Sequence, residues 1–225
     1  METFRRYEKK YLLDEGQYRQ LLKEIEPYIK PDRFYSSRIR SIYYDTDNSQ
    51  LIRHSIEKPE YKEKLRIRSY DEAGGNESVF VEFKKKLDGI VYKRRTKAKC
   101  QDLLNDIYHC DFSDAQIGKE IKYALNYYDH LSPAIYIGCE RTSYVSKTDD
   151  SLRITFDRDI SYRTDDLALH ESYKDKKVTD KTVMELKISD AMPLWLADIL
   201  DEIKAYPQGF SKVGTAYLKE LEGAY

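Results

Sequence analysis

Alternation of apolar and polar residues runs through most of the chain and predicts strands near 3–13, 35–46, 62–70, 78–87, 90–99, 134–146, 151–158 and 182–189. The segments 78–87 and 90–99 flank a short turn containing Asp88-Gly89, the signature of an antiparallel hairpin. Helical periodicity replaces alternation at 14–30, where Leu21, Leu22, Ile25 and Ile29 form a stripe and Asp14 is placed to cap the start. Similar patterns follow near 101–108, 113–130, 193–205 and 212–222. Turn-forming residues gather at 58–60, 71–76, 87–89 and 165–180, and there is no internal repeat. Strands that mostly follow one another, with helices inserted between and after them, predict an α+β fold on one large antiparallel sheet. Residues 1–225 are read as a single domain, with closure of the sheet into a barrel left open.

Composition changes the picture where it excludes. Charged residues make up 35% of the 225 and hydrophobic ones 40%, a balance that would suit disorder if 21 Tyr, 7 Phe and 1 Trp did not supply large apolar bodies. No run approaches the roughly 18 apolar residues of a membrane helix. The start METFRRYEKK lacks the apolar core of a signal peptide, so a cytoplasmic protein without direct membrane insertion is expected. Cys100, Cys110 and Cys139 form no C-x-x-C pair and read as reduced and structural. With 39 Lys and Arg against 40 Asp and Glu, the net charge of -1 disfavours a nucleic-acid binder. Walker-type loops, nucleophile elbows and zinc-protease helices are absent, and His54, His109, His130 and His170 share no ligand spacing.

Where the charges sit is more informative than their sum. Residues two apart on a strand share a face, and sorting the strands this way puts Lys62, Lys64, Arg66 and Arg68 in one row against Leu65 and Ile67. Glu82 and Lys84 oppose Val79, Val81 and Phe83, and Lys93 and Arg95 form the row of the hairpin partner. Arg6, Glu8 and Lys10 align on the first strand; Arg153, Thr155 and Asp157 align on another; Glu185 and Lys187 oppose Met184, Leu186 and Ile188. Arg141 shares a row with Cys139 and Ser143.

Two arrangements fit these rows: the solvated face of a sheet, or a cationic lumen. An ordinary wet face mixes signs across strands, whereas here Arg and Lys outnumber the acids. A lumen so lined needs a polyanion to offset its internal repulsion, and repeated phosphates suit forked Arg donors and point-charge Lys. Glu8, Glu82, Asp157 and Glu185 then read either as ligands of a hard divalent metal or as partners of neighbouring cations. The segment Gly209-Phe210-Ser211-Lys212 enters the last predicted helix with a lysine in its first turn, which opposes the helix dipole unless an anion joins it. The alternative is Ser211 as a simple cap with Lys212 solvated.

Taken in order, Arg6-x-Glu8-x-Lys10-Tyr11, Lys64-Leu65-Arg66-Ile67-Arg68, Glu82-Phe83-Lys84, Glu140-Arg141-Thr142, Leu152-Arg153-Ile154 through Asp157, Met184-Glu185-Leu186-Lys187 and Phe210-Ser211-Lys212 resemble the catalytic domain of the vacuolar transporter chaperone polyphosphate polymerases, members of the triphosphate tunnel metalloenzyme superfamily. The resemblance implies an eight-stranded antiparallel β-barrel tunnel with helices packed outside. It implies phosphate binding by Arg6, Lys10, Arg66, Arg68, Lys84, Lys93, Arg95, Arg141 and Arg153, with Lys212 where the family's essential lysine acts on the transferring phosphate; Arg66, Arg68 and Arg141 are expected to take part in catalysis beside it, and Lys187 and Ser211 to bind phosphate. Glu185, with Glu8, would hold Mn2+ or Mg2+. The expected activity is a transferase that moves the γ-phosphate of ATP onto polyphosphate and releases ADP, with any coupling to export left to a separate membrane-protein partner. The alternatives are an inorganic triphosphatase and a non-catalytic polyphosphate sensor. The hydrolases and cyclases of the superfamily carry an acid where this chain has Arg6, which favours the polymerase. Val213 and Cys139 stand where the polymerases usually have aromatic residues, a departure that weakens activity or changes the substrate if hydroxyl contacts are lost.

Overall fold

The computed structural model describes residues 7–57, 59–88, 90–128, 130–149, 151–189 and 191–223. The elements in chain order are β1 (Tyr7–Leu13), α1 (Glu15–Ile25), β2 (Ile29–Asp45), α2 (Gln50–Glu57), β3 (Tyr61–Ser69), β4 (Ser78–Leu87) and β5 (Ile90–Lys99). There follow α3 (Cys100–Asp106), a 3₁₀ turn (Ile107–His109), α4 (Ala115–Tyr127), β6 (Ser132–Ser146), β7 (Arg153–Arg163), β8 (Lys176–Lys177), β9 (Thr182–Ile188), α5 (Leu194–Glu202) and α6 (Lys212–Gly223). The nine strands form one sheet in the order β1-β9-β7-β6-β2-β3-β4-β5, with the two-residue β8 on β7. Every pairing whose register is described is antiparallel, and among the described residues no hydrogen bonds join β1 to β5, so the path is open. None of the described helices is long and apolar enough to cross a membrane.

All eight strands expected from alternation are present, 78–87 and 90–99 with the expected ends, while residues 3–6 of the first lie outside the described residues. The helix expected over 14–30 stops at Ile25, because Pro27 has no N–H to continue it. The chain enters β2 at Ile29, whose side chain still packs with Leu21 and Ile25, so the stripe was real while the helix was shorter. Asp14 caps α1, its carboxylate accepting from Gln17 N at 2.8 Å while the Gln17 side chain accepts from Asp14 N at 3.1 Å. Alternation gave no sign of α2. Its cap is Asp45, well before the helix: Oδ1 accepts from the N–H of Thr46 and Leu51, and Oδ2 from Ile52 N, each at 2.8 Å. A cap that far from the first turn escapes a search for Ser, Thr or Asp beside it.

The chain divides into two compact units. The first comprises residues 1–38, 139–160 and 179–210. Its core sets Tyr11 and Leu13 of β1 with Leu152, Ile154, Phe156, Met184 and Leu186, against Leu21 and Ile25 of α1 and Leu196 and Leu200 of α5. The second comprises residues 39–138, 161–178 and 211–225. There Ile42, Tyr44, Leu65, Ile67, Val79, Val81 and Phe83 of the sheet pack with Leu51, Leu103, Ile107, Ile121 and Leu125. All three cysteines are buried, and burial pushes the thiols of Cys100 and Cys110 up, to about 11 and about 12. In the same unit the buried Arg163 organises the segment after β7, donating to the carbonyls of Asp166, Ala168 and His170 and to the Asp175 carboxylate at 2.6–3.0 Å.

Replacing Asp45 with Ala leaves the N–H groups of Leu51 and Ile52 in the first turn of α2, and that of Thr46 before it, without their acceptor. Urea denaturation of Asp45→Ala should show a loss of about 1–2 kcal/mol; an unchanged midpoint would mean that solvent replaces the cap at no cost.

Candidate functional site

In each unit the sheet turns one face to the core and carries charge on the other. The second unit is the more cationic. Antiparallel register places Arg66 opposite Tyr43 on one side and Glu82 on the other, and Glu82 in turn opposite Arg95. One step along, Lys64, Lys84 and Lys93 lie directly opposite one another on β3, β4 and β5, and Lys62 faces Lys86. Like charges in directly opposed positions destabilise a sheet. What holds this face together is Glu82, only 1% exposed. Its carboxylate meets Arg66 Nε at 2.8 Å, Lys93 Nζ at 2.6 Å, Arg95 Nε at 3.0 Å and Arg68 Nε at 3.8 Å. Burial pushes the Glu82 carboxyl up, but Arg66, Arg68 and Lys93 outweigh it and hold the group far below the usual carboxylate range. Tyrosines complete the cluster: Arg66 Nη1 donates to Tyr43 Oη at 2.8 Å and Arg95 Nη2 to Tyr70 Oη at 2.6 Å. Arg68 donates to Ser41 Oγ at 3.2 Å.

The head of α6 belongs to the same unit. Ser211 Oγ accepts from Gly214 N at 3.3 Å and from Lys64 Nζ at 3.1 Å, so Ser211 is a helix cap that also ties α6 to β3. Gly214 permits the approach: a Cβ there would lie 3.1 Å from Ile56 of α2. Lys212, in the first turn, is half-buried and close enough to Tyr43 to lower the pKa of its phenol. Val213 is buried, pointing to the core.

The charged face of the first unit is mixed. Lys10 lies opposite Glu185 and Glu8 opposite Lys187, and on the next strand Arg153 and Thr155 face Lys187 and Glu185. Lys187 Nζ is 2.7 Å from Glu185, and Lys10 Nζ is 3.8 Å from Glu8 and donates to Phe210 O at 3.1 Å. Burial raises the Glu185 carboxyl, but Lys187, Arg141 and Lys10 bring it far below its ordinary range. Arg141 grips Asp157 through Nε and Nη2, both at 2.6 Å, and Arg153 Nε lies 3.6 Å from Asp32. Thr155 Oγ1 is buried without a hydrogen-bond partner in the same row as Glu185.

Of the residues singled out from the sequence, Glu8, Lys10, Arg141, Arg153, Glu185 and Lys187 gather in the first unit, and Arg66, Arg68, Lys84, Lys93, Arg95, Ser211 and Lys212 in the second. Arg6 lies outside the described residues. Glu82 and Asp157 are charge-balancing partners of arginines. Among the described residues no three or more His, Cys, Asp or Glu side chains cluster as a metal cage. The pair Glu8 and Glu185, on neighbouring strands, instead offers the one or two hard carboxylates that Mg2+ or Mn2+ takes when phosphate and water fill its remaining positions. Sequence reasoning missed Tyr43, Tyr70 and Ser41, whose part emerges only from the register opposite the arginines.

Glu82→Gln should cost about 3 kcal/mol at neutral pH, since it leaves buried cations without their carboxylate while the half-exposed Lys93 and Arg95 are eased by solvent. A carboxyl held low in the folded state stabilises above its unfolded pKa, near 4.5, and that contribution is lost as pH falls through the folded value. The wild-type advantage, measured by chemical denaturation, should therefore shrink below about pH 4.5; a pH-independent difference would contradict this reading.

A family model described as the VTC domain matches residues 5–220. No curated protein matches the chain. Among solved structures, a Bacillus halodurans protein described as a candidate adenylate cyclase superimposes with a TM-score of 0.55 at 14% identity, covering 91% of this chain and 92% of its own, and so shares the fold. The PH1819 protein of Pyrococcus horikoshii aligns at 12% identity over 95% of this chain and 99% of its own, with a TM-score of 0.47. With residues 5–220 of 225 matched, the chain belongs to the VTC domain family.

Proposed function

We propose that the chain is a metal-dependent phosphotransferase acting on ATP and polyphosphate, a polyphosphate polymerase that transfers the γ-phosphate of ATP to a growing chain and releases ADP. The observation that carries the proposal is the row of directly opposed lysines, Lys64, Lys84 and Lys93, beside the buried carboxylate of Glu82, which Arg66, Lys93 and Arg95 share. Such a face is completed by an anion with several charges at regular spacing, which a chain of phosphates provides. The eight-stranded tunnel and the single domain expected from the sequence are part of the same proposal.

In this reading Arg6, Lys10, Lys84, Lys93, Arg95, Arg153, Lys187 and Ser211 hold phosphates, and catalysis is positioning and charge stabilisation rather than covalent chemistry. Arg141 is already oriented by Asp157 through Nε and Nη2, so its Nη1 is presented to a phosphate oxygen without rotamer search. Arg66 is fixed by Glu82 through Nε and Nη2 and Arg68 by its hydrogen bond to Ser41, and Lys212 adds a point charge where the backbone N–H groups of the α6 entrance already favour an anion. A divalent ion held by Glu185 and Glu8 would neutralise charge on the phosphate oxygens.

Incubation with ATP and Mn2+, and in parallel with tripolyphosphate and Mn2+, tests the reaction class. Long-chain polyphosphate with ADP is expected; free phosphate without polymer would make the protein a triphosphatase, and binding without turnover a sensor. Lys212→Ala should lower turnover by about 10²–10³-fold while changing tripolyphosphate affinity only a few-fold, as for a charge used mainly in the transition state. An unchanged rate would remove Lys212 from the mechanism.

A further inference from the structure

Tyr43 sits in an unusual place for a phenol. It lies opposite Arg66 on the charged face, 8% exposed, with its hydroxyl accepting from Arg66 Nη1 at 2.8 Å and the guanidinium carbon 5.6 Å from its ring centroid. Among the described residues no acceptor receives the phenolic proton. The cations around it come from every element at hand: Lys64, Arg66 and Arg68 from β3 and Lys212 from α6. Glu82, which meets Arg66 and Arg68, is shared with Lys93 and Arg95 as well. A phenol that accepts from a guanidinium among several cations is favoured in its ionised form, because nearby positive charge and a hydrogen bond to the charged oxygen both stabilise it. Burial opposes ionisation of Tyr43, but Arg66, Lys64, Arg68 and Lys212 outweigh it and lower the phenol to about 7. The next residue is the natural control. Tyr44 points to the core, donates to Leu103 O at 2.6 Å, and is pushed well above the ordinary tyrosine range by burial.

We propose that Tyr43 is a proton-exchanging member of the phosphate site: as phenolate it is the counter-ion of Lys64, Arg66 and Lys212 when the site is empty, and when phosphate binds it takes a proton from solvent and donates that proton in a hydrogen bond to a phosphate oxygen. The inference rests on the phosphate-handling reading above. The exchange balances: one O–H bond forms on the phenolate, one breaks on the buffer acid, and the charge lost from Tyr43 is replaced by that of the incoming phosphate. It also makes affinity depend on pH in a stated direction. Above the phenol's midpoint the phosphate must compete with the phenolate, so binding weakens as pH rises.

The test reads the tyrosinate absorption band of the full chain during a pH titration, first without ligand and then with tripolyphosphate. In the wild type one of the 21 tyrosines should ionise near 7; Tyr43→Phe should lose that transition and Tyr44→Phe should keep it. Tripolyphosphate added at about pH 8 should collapse the band and take up about one proton per site, seen as buffer-dependent heat. Above the midpoint the wild-type dissociation constant should rise about tenfold per pH unit relative to Tyr43→Phe, because only the protonated fraction is competent to bind. Absence of any tyrosine ionising below the ordinary value of about 10 overturns the proposal, as does a band that persists while calorimetry shows tripolyphosphate bound. If tripolyphosphate binds neither protein, the phosphate reading fails and the exchange with it; the band of the ligand-free protein, read beforehand, tells that failure from a failure of Tyr43 to ionise.

Discussion

The Glu82 carboxylate is the constraint around which the second unit is built. Three adjacent strands there carry basic residues in opposed positions, an arrangement whose repulsion would push β3, β4 and β5 apart if nothing compensated it. Glu82 compensates by standing at the centre of the rows, buried, within reach of four cations at once. Of the lysines one step along the strands, Lys93 reaches the same carboxylate and Lys64 donates to Ser211. The pairing of these strands and the posture of their cations therefore have one cause, the carboxylate that Arg66, Lys93 and Arg95 share.

The first unit solves a related problem with more acids. Glu185 and Glu8 alternate with Lys10 and Lys187 across β1 and β9, and Asp157 is committed to Arg141. The mixed face is electrostatically quieter, and in the proposed function its Glu8 and Glu185 are the residues that would hold a divalent ion. Among the described residues, the buried Thr155 hydroxyl in the same row has no hydrogen-bond partner.

Much of this was legible because alternation is a strong signal when both rows are distinctive. Leu65 and Ile67 against Lys64, Arg66 and Arg68 leave no doubt about which side of β3 faces the core, and register then follows. What stayed hidden depended on partners remote in sequence. Tyr43 and Tyr44 are adjacent and chemically identical, so composition could not tell that one meets a guanidinium and the other a carbonyl. Asp157 read equally well as a metal ligand until its pairing with Arg141, on another strand, was seen. The helix α2 was invisible because its cap is Asp45, at the end of β2, and α1 ended early because Pro27 interrupts a hydrophobic stripe that continues in space through Ile29.

The central claim is that these charged rows require a polyanion, and the most direct measurement is thermal unfolding of the protein against increasing tripolyphosphate at several salt concentrations, with sulfate as control. A ligand that binds only the folded state adds about 2.7 kcal/mol at one hundred times its dissociation constant. The account predicts a melting temperature that climbs with tripolyphosphate well beyond the effect of sulfate, and a rise that shrinks as salt screens the rows. A melting temperature unmoved by tripolyphosphate, or moved equally by sulfate, would contradict it.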